Sequence, residues 1–238
     1  MKLSLETSDK QLSADKIVNK AIAVSGGGVF KKSSLKFEFR DVYYQALRKN
    51  HEFLLVRVSV KDQDSIFDML SNVGFERYRN NAFVKLNDSI AKLYEASVNS
   101  VHYFSVLPHG LNDDAVIKTR LENERVKGKD YYKIKVTFNE EGGGEDHEDI
   151  FIYWFGKESF KLDYLAYSYN EEDGVGMRFR EAYNERYING LRFVDYNNYK
   201  SENTSIKLEN LAKAFDENQL KLLSKIELEN IKVDLVDP

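Results

Sequence analysis

The stretch IFIYWFGKESFKLDYLAYSY, residues 150–169, decides the fold. Two runs of aromatic and branched residues, Ile150–Phe155 and Phe160–Tyr169, flank the polar turn Gly156-Lys157-Glu158-Ser159. Such side chains suit a pleated, half-buried surface, so the stretch reads as two antiparallel strands joined by a tight turn. The same pattern continues outward on both sides. Ala115–Val126 and Tyr131–Phe138 flank Lys127-Gly128-Lys129-Asp130, and Val175–Tyr183 and Leu191–Tyr199 flank Asn184–Gly190. Turn signals at this short spacing describe an antiparallel meander. The βα alternation of doubly wound nucleotide-binding folds and (β/α)8 barrels is absent.

The N-terminal half adds strands and two helices. Leu35, Phe37 and Phe39 alternate with Lys36, Glu38 and Arg40, and Phe53–Val60 follows in the same style. Ile66–Leu70 and Phe75–Arg79 flank Asn72-Val73-Gly74 as a hairpin, and Asn80-Asn81 makes another turn. Ser13 reads as an N-cap, with Ala14, Ile17, Val18, Ala21 and Ile22 at helical spacing and Gly26-Gly27-Gly28 as the stop. Asn87 caps a second helix whose Ile90, Leu93, Tyr94, Val98, Val101 and Phe104 share one face. Pro108 and Gly110 end it. Near the C-terminus, Asn203–Asn218 reads as a short helix or ordered loop and Leu222–Val233 as a closing strand. The fold class is mainly β (α+β): a large curved antiparallel sheet forming an incomplete β-barrel, covered by two or three helices. Residues 13–238 are expected to form a single half-barrel domain after a disordered or expression-derived segment, 1–12.

Composition bounds the function. The chain has 238 residues, 13% of them aromatic, with two prolines and no cysteine. Disulfides, thiol nucleophiles and Cys-ligated metals are thereby excluded. Net charge is −4; the last 38 residues hold five basic and eight acidic side chains, which leaves the first 200 at −1. No basic block stands out, so no nucleic-acid partner is expected. No apolar run reaches the ~20 residues of a membrane helix. Met1–Lys16 is polar and lacks a signal-peptide core. As a true N-terminus it implies the cytoplasm; as the start of a trimmed chain it leaves an envelope location open.

Chemistry-bearing residues are sparse. No Gly-x-Ser-x-Gly elbow occurs, and Ser25-Gly26-Gly27-Gly28 follows a helix, the reverse of a phosphate loop. The run Gly142–Asp149 gathers four acids and His147, from which Asp146, His147 and Asp149 offer a weak cation site. The four histidines, His51, His102, His109 and His147, include no i, i+4 pair. His102 borders the apolar stripe of the second helix, either as a core-edge side chain bonded to backbone or as a polar contact at a cavity mouth. Asp163, Arg178, Arg180 and Arg192 sit among apolar strand residues, where they read as outer-face charges, cross-strand ion pairs or a polar patch in a cavity. No catalytic residue and no cofactor motif emerges.

Several long runs carry a family resemblance: GGGEDHEDIFIYWF (142–155), LDYLAYSY (162–169), RFREAYNERYINGLRFVDYNNY (178–199), SVNSVHYFSVLPHGLND (97–113) and LSKIELENI (223–231). They resemble an uncharacterised family of bacterial envelope lipoproteins, itself similar to the lipoprotein-carrier (LolA/LolB-like) fold. Some members carry a deoxyribose-phosphate aldolase name, yet such an aldolase resembles a (β/α)8 barrel with a Schiff-base lysine, which this chain does not. The resemblance implies an incomplete barrel around a hydrophobic cavity, and a full-length form held at the membrane by N-terminal acylation. The reading is a non-enzymatic envelope protein, periplasmic or at the outer membrane. Its partner would be a hydrophobic or amphipathic small molecule such as a lipid. Tyr153, Trp154, Tyr167, Tyr169, Met177 and Phe179 would supply apolar contact, with Arg178, Arg180 and His102 as polar handles. The alternatives are a structural or interaction protein with a filled barrel, and a metal-assisted hydrolase built on Asp146, His147 and Asp149.

Overall fold

The computed structural model describes residues 12–49, 52–140, 148–171 and 174–235. Helix α1 is Ala14–Val24, α2 is Asp88–Ser105 and α3 is Leu211–Asp216, the last preceded by a 3-10 turn at Leu208–Asn210. The first six strands are β1 (Ser33–Phe39), β2 (Val42–Lys49), β3 (Glu52–Lys61), β4 (Asp64–Ser71), β5 (Gly74–Arg79) and β6 (Ala82–Phe83). Then come β7 (Val116–Arg120), β8 (Glu124–Val126), β9 (Lys129–Phe138), β10 (Ile150–Gly156) and β11 (Leu162–Glu171). The last four are β12 (Gly174–Ile188), β13 (Leu191–Ser201), β14 (Leu220–Ile226) and β15 (Glu229–Leu235). They form a seven-stranded sheet, β15-β1-β2-β3-β4-β5-β6, and an eight-stranded one, β14-β13-β12-β11-β10-β9-β7, with β8 on β9. The pairings are antiparallel, and neither strand order closes on itself among the described residues. The expected mainly-β class with an open antiparallel arrangement and a few helices is what the chain adopts, its strands shared between two sheets.

The turns follow from backbone sterics. Arg40-Asp41, Asp62-Gln63, Asn80-Asn81, Lys127-Gly128 and Asn189-Gly190 each place two successive residues at positive φ. That geometry matches the right-handed twist of the strands it joins. Asn80 adds a local lock, accepting from the Ser65 N–H at 3.0 Å through its side chain. Helix α2 starts as its sequence predicts, with Asn87 Oδ1 accepting from the Ile90 N–H at 2.9 Å.

The described residues group into two compact units. The first takes those up to Val24, Leu111–Ala182 and Asn197–Ser224; the second takes Ser25–Gly110, Tyr183–Tyr196 and those from Lys225 on. The first has a core of Val126, Tyr131, Ile152, Trp154, Tyr164, Ala166, Phe179, Leu208, Leu211, Ala212 and Phe215. In the second, Leu35, Phe37, Tyr44, Ala46, Leu55 and Leu70 pack with Val98 of α2 and with Leu191, Phe193 and Val233. The expectation for residues 1–12 lies outside the described residues except at Leu12.

The structure differs from the sequence reading in several places: Ala115–Val126 is two strands, β7 and β8, rather than one, and β2 has no counterpart in that reading. The segment 184–188 is strand rather than turn, and the reversal is confined to Asn189-Gly190. Its polar residues are anchored by buried Asp195: Asn184 Nδ2 donates to Oδ2 at 2.6 Å and Arg186 Nη2 to Oδ1 at 2.9 Å. The expected closing strand is two strands. Leu228 is buried between them with its N–H on Asp195 Oδ1 at 3.0 Å, which breaks the run and hands β15 to β1.

Candidate ligand-binding site

Strand register sorts the sequence-predicted residues onto two faces. Phe151 pairs with Tyr167 and Tyr167 with Arg178; Tyr153 pairs with Leu165 and Leu165 with Arg180. Alternation therefore puts Tyr153, Tyr167, Tyr169, Arg178 and Arg180 on one face of β10–β12, together with Phe151. Trp154, Met177 and Phe179 project from the other. There Trp154 and Phe179 belong to the core of the first unit, closed over by Leu208, Leu211 and Phe215, and Met177 packs against it. Trp154 is also held by its indole N–H, which donates to Glu124 Oε2 at 2.8 Å; Lys133 pairs with the same carboxylate at 2.8 Å.

The first face is a ladder of rings ending in guanidinium groups. Phe138 meets Phe151 edge-on at 5.8 Å, and Phe151 stacks on Tyr167 at 5.4 Å. Tyr167 contacts Tyr169 at 5.6 Å. Arg180 lies over the Tyr167 ring at 4.9 Å and donates from Nη2 to its hydroxyl at 2.8 Å. Arg178 lies over Tyr169 at 5.2 Å and donates from Nη1 to the Met177 carbonyl at 2.8 Å. These are diagonal cross-strand pairs, and the ring faces attract the cations. Phe151, Tyr153 and Arg180 are buried, whereas Tyr167, Tyr169 and Arg178 are half-buried. The ladder thus runs from buried Phe151 and Tyr153 to half-buried Tyr169 and Arg178, an arrangement of apolar rings and cations suited to an amphipathic molecule.

Helix α1 is tied to the same face. Lys118 pairs with Val136, which pairs with Phe151, so Lys118 projects on the ladder side. Its Nζ meets Asp15 of α1 at 3.2 Å and donates to the Leu111 carbonyl at 2.9 Å. Arg120 donates to the Leu12 carbonyl just ahead of the helix. Ile17, Val18 and Ala21 bury the inner side of α1.

Sequence reasoning missed Phe151, whose parity with Tyr153 is its only signal, and Asn198. Asn197 and Tyr199 both donate to Glu181, which register places on the Trp154 side. Asn198 consequently projects on the side of Arg180. It is 7% exposed; its Nδ2 donates to Ser224 Oγ at 3.1 Å and its Oδ1 has no partner among the described residues.

The remaining candidates lie elsewhere. His102 belongs to the second unit, with Nε2 3.1 Å from the Val56 carbonyl and its ring edge-on to Phe37 and Tyr44. Burial lowers its pKa to about 3, so it stays neutral. Asp163 is the extra residue of a β-bulge in β11 and accepts from the Tyr131 hydroxyl at 3.2 Å. Burial, with Asp163 adding to it, raises the pKa of Tyr131, and burial lifts Tyr164 to about 12. Arg192 pairs with Glu185 in the second unit. Asp149 stands just ahead of β10, while His51, Asp146 and His147 lie outside the described residues.

Solved structures share the fold. A LolA superfamily protein from Nitrosomonas europaea is similar at 11% identity and a TM-score of 0.50, covering 95% of this chain and 94% of that one. A DUF1329 family protein from Desulfovibrio piger ATCC 29098 is similar at 9% identity and a TM-score of 0.45, covering 93% of each chain. The first likeness is one of fold, and it agrees with the carrier-like architecture read from the sequence. No curated protein matches the chain. A family model does match it over residues 3–228, and the chain belongs to that family, the family of unknown function DUF6503.

Proposed function

We propose that this protein is a non-enzymatic component of the cell envelope that binds a lipid or another amphipathic molecule. The observation that carries the reading is the ladder Phe151, Tyr153, Tyr167 and Tyr169, with half-buried Arg178 over Tyr169 and buried Arg180 over Tyr167. Apolar ring area beside guanidinium groups matches an acyl chain with a polar or acidic head. The fold likeness to a LolA superfamily protein supports the same reading. No helix among the described residues is long and apolar enough to cross a membrane.

Native mass spectrometry of the purified protein, followed by organic extraction and lipid analysis, tests it. A co-purifying lipid near one per chain is expected, and Tyr167→Ala combined with Arg178→Ala should lower its occupancy at least fivefold. A clean apo mass, with no saturable binding of added anionic lipid, would sink the reading. That outcome would favour a structural or interaction protein, a role consistent with the full burial of Tyr153, Trp154 and Phe155.

A further inference from the structure

In the second unit the register builds a charged row across four strands. Tyr44 lies opposite Arg57, Arg57 opposite Asp68, and Asp68 opposite Arg77. The row shares its face with Leu55 and Leu70 of the core, and α2 lies over it. Asp68 is 1% exposed, while Arg57 and Arg77 are 15% and 14% exposed. Both guanidinium groups converge on this one carboxylate. Arg57 donates to Oδ2 from Nε at 3.0 Å and from Nη2 at 2.6 Å. Arg77 donates from Nε to Oδ1 at 2.6 Å and from Nη2 to Oδ2 at 2.9 Å.

Among the described residues, the other side-chain contacts of the two arginines are with neutral groups. Arg57 Nη1 donates to Ser97 Oγ at 2.8 Å, and Arg77 lies 3.4 Å over the Tyr94 ring. Tyr44, beside Arg57, is also neutral, its pKa raised by burial. The row therefore sets two positive charges against one negative charge in a largely dry place. An uncompensated charge there is costly, and arginines with planar donor forks are the usual partners of oxyanions. The lowered pKa of His102 agrees with this charge balance, since Arg57 adds to the effect of burial.

We propose that the Arg57–Asp68–Arg77 row binds an anionic oxygen group, a phosphate or carboxylate, at the edge of α2. The group is either a free oxyanion or the acidic head of an amphiphile. The inference stands apart from the ladder of the first unit, so either can fail alone.

The test is a titration of protein labelled with 15N-arginine, following the Nε–H resonances of Arg57 and Arg77. Sodium phosphate should shift both saturably, and sodium chloride at equal ionic strength should not. Decyl phosphate and neutral decyl maltoside separate the sources. At least tenfold tighter binding of decyl phosphate than of sodium phosphate assigns an amphiphile head; equal affinities assign a free oxyanion. Asp68→Asn removes the competing carboxylate and should tighten phosphate binding at least fivefold, while Arg77→Gln should weaken it at least tenfold. The wild-type titration needs no variant to fold. Absence of a shift with both phosphates, or a shift that chloride or decyl maltoside reproduces, overturns the proposal.

Discussion

His102 and His109 make the second unit sensitive to acid. Burial lowers His102 to a pKa of about 3 and His109 to about 4, against an ordinary value of 6.5. His109 is stacked on Phe30 at 4.2 Å, and His102 has a buried Nδ1 with no partner among the described residues. Both folded values lie below the unfolded one, so the unfolded chain takes up protons first. The stability they permit is complete above about pH 6.5 and falls as the pH drops toward 4 and 3. At pH 5 the loss is about 2 kcal/mol for each histidine. Urea midpoints at pH 7, 6 and 5 should decline, and His102→Leu should flatten that decline. An unchanged slope in the variant would contradict the assignment. Gly26 sets a second residue-scale constraint. Its φ is +122°, and a Cβ there would stand 2.5 Å from Leu191 Cδ2 and 2.8 Å from the Gly190 carbonyl oxygen. Backbone strain and overlap together should make Gly26→Ala destabilising by at least ~2 kcal/mol in chemical denaturation.

At the scale of elements, Asp195 decides what the sequence around it becomes. Its carboxylate, 3% exposed, receives Asn184, Arg186 and the Leu228 N–H, and so ties β12 and β13 to the junction of β14 and β15. Asp195→Ala would leave the Arg186 charge without its carboxylate and release Asn184 and the Leu228 N–H, a loss of about 3 kcal/mol. A urea midpoint within error of wild type would refute that role. Asn87→Ala, by contrast, removes only a helix cap and should cost about 1 kcal/mol. The contrast explains which elements were legible. The Asn87 cap acts on an N–H three residues away and the Asn80-Asn81 turn through its own backbone conformation, so sequence reading finds them. Asn184–Gly190 looks like a turn because Asn and Gly dominate it, but its partners lie on other strands. β2 escaped for a related reason: Tyr44 and Ala46 are buried while Tyr43 and Gln45 are only half-buried, so both faces read alike.

For the whole molecule, the aromatic excess visible in the composition supplies two cores, one ladder and smaller pairs such as Tyr132–Phe160 and Tyr78–Phe83, and no residue count foretells that division. The strand parity of Arg178 and Arg180 against Met177 and Phe179 was legible from alternation. Which side met the core depended on α3, whose Phe215, 36 residues further along, packs on Phe179 at 4.9 Å. The two cores share no residue. Substitutions that trim each should therefore act independently, because coupling requires common partners. Ile152→Val in the first core should cost about 1 kcal/mol and Val98→Ala in the second about 2 kcal/mol. Their double variant should lose the sum to within ~0.5 kcal/mol in urea denaturation followed by Trp154 fluorescence and circular dichroism. A larger departure would mean that strain in one core is felt by the other.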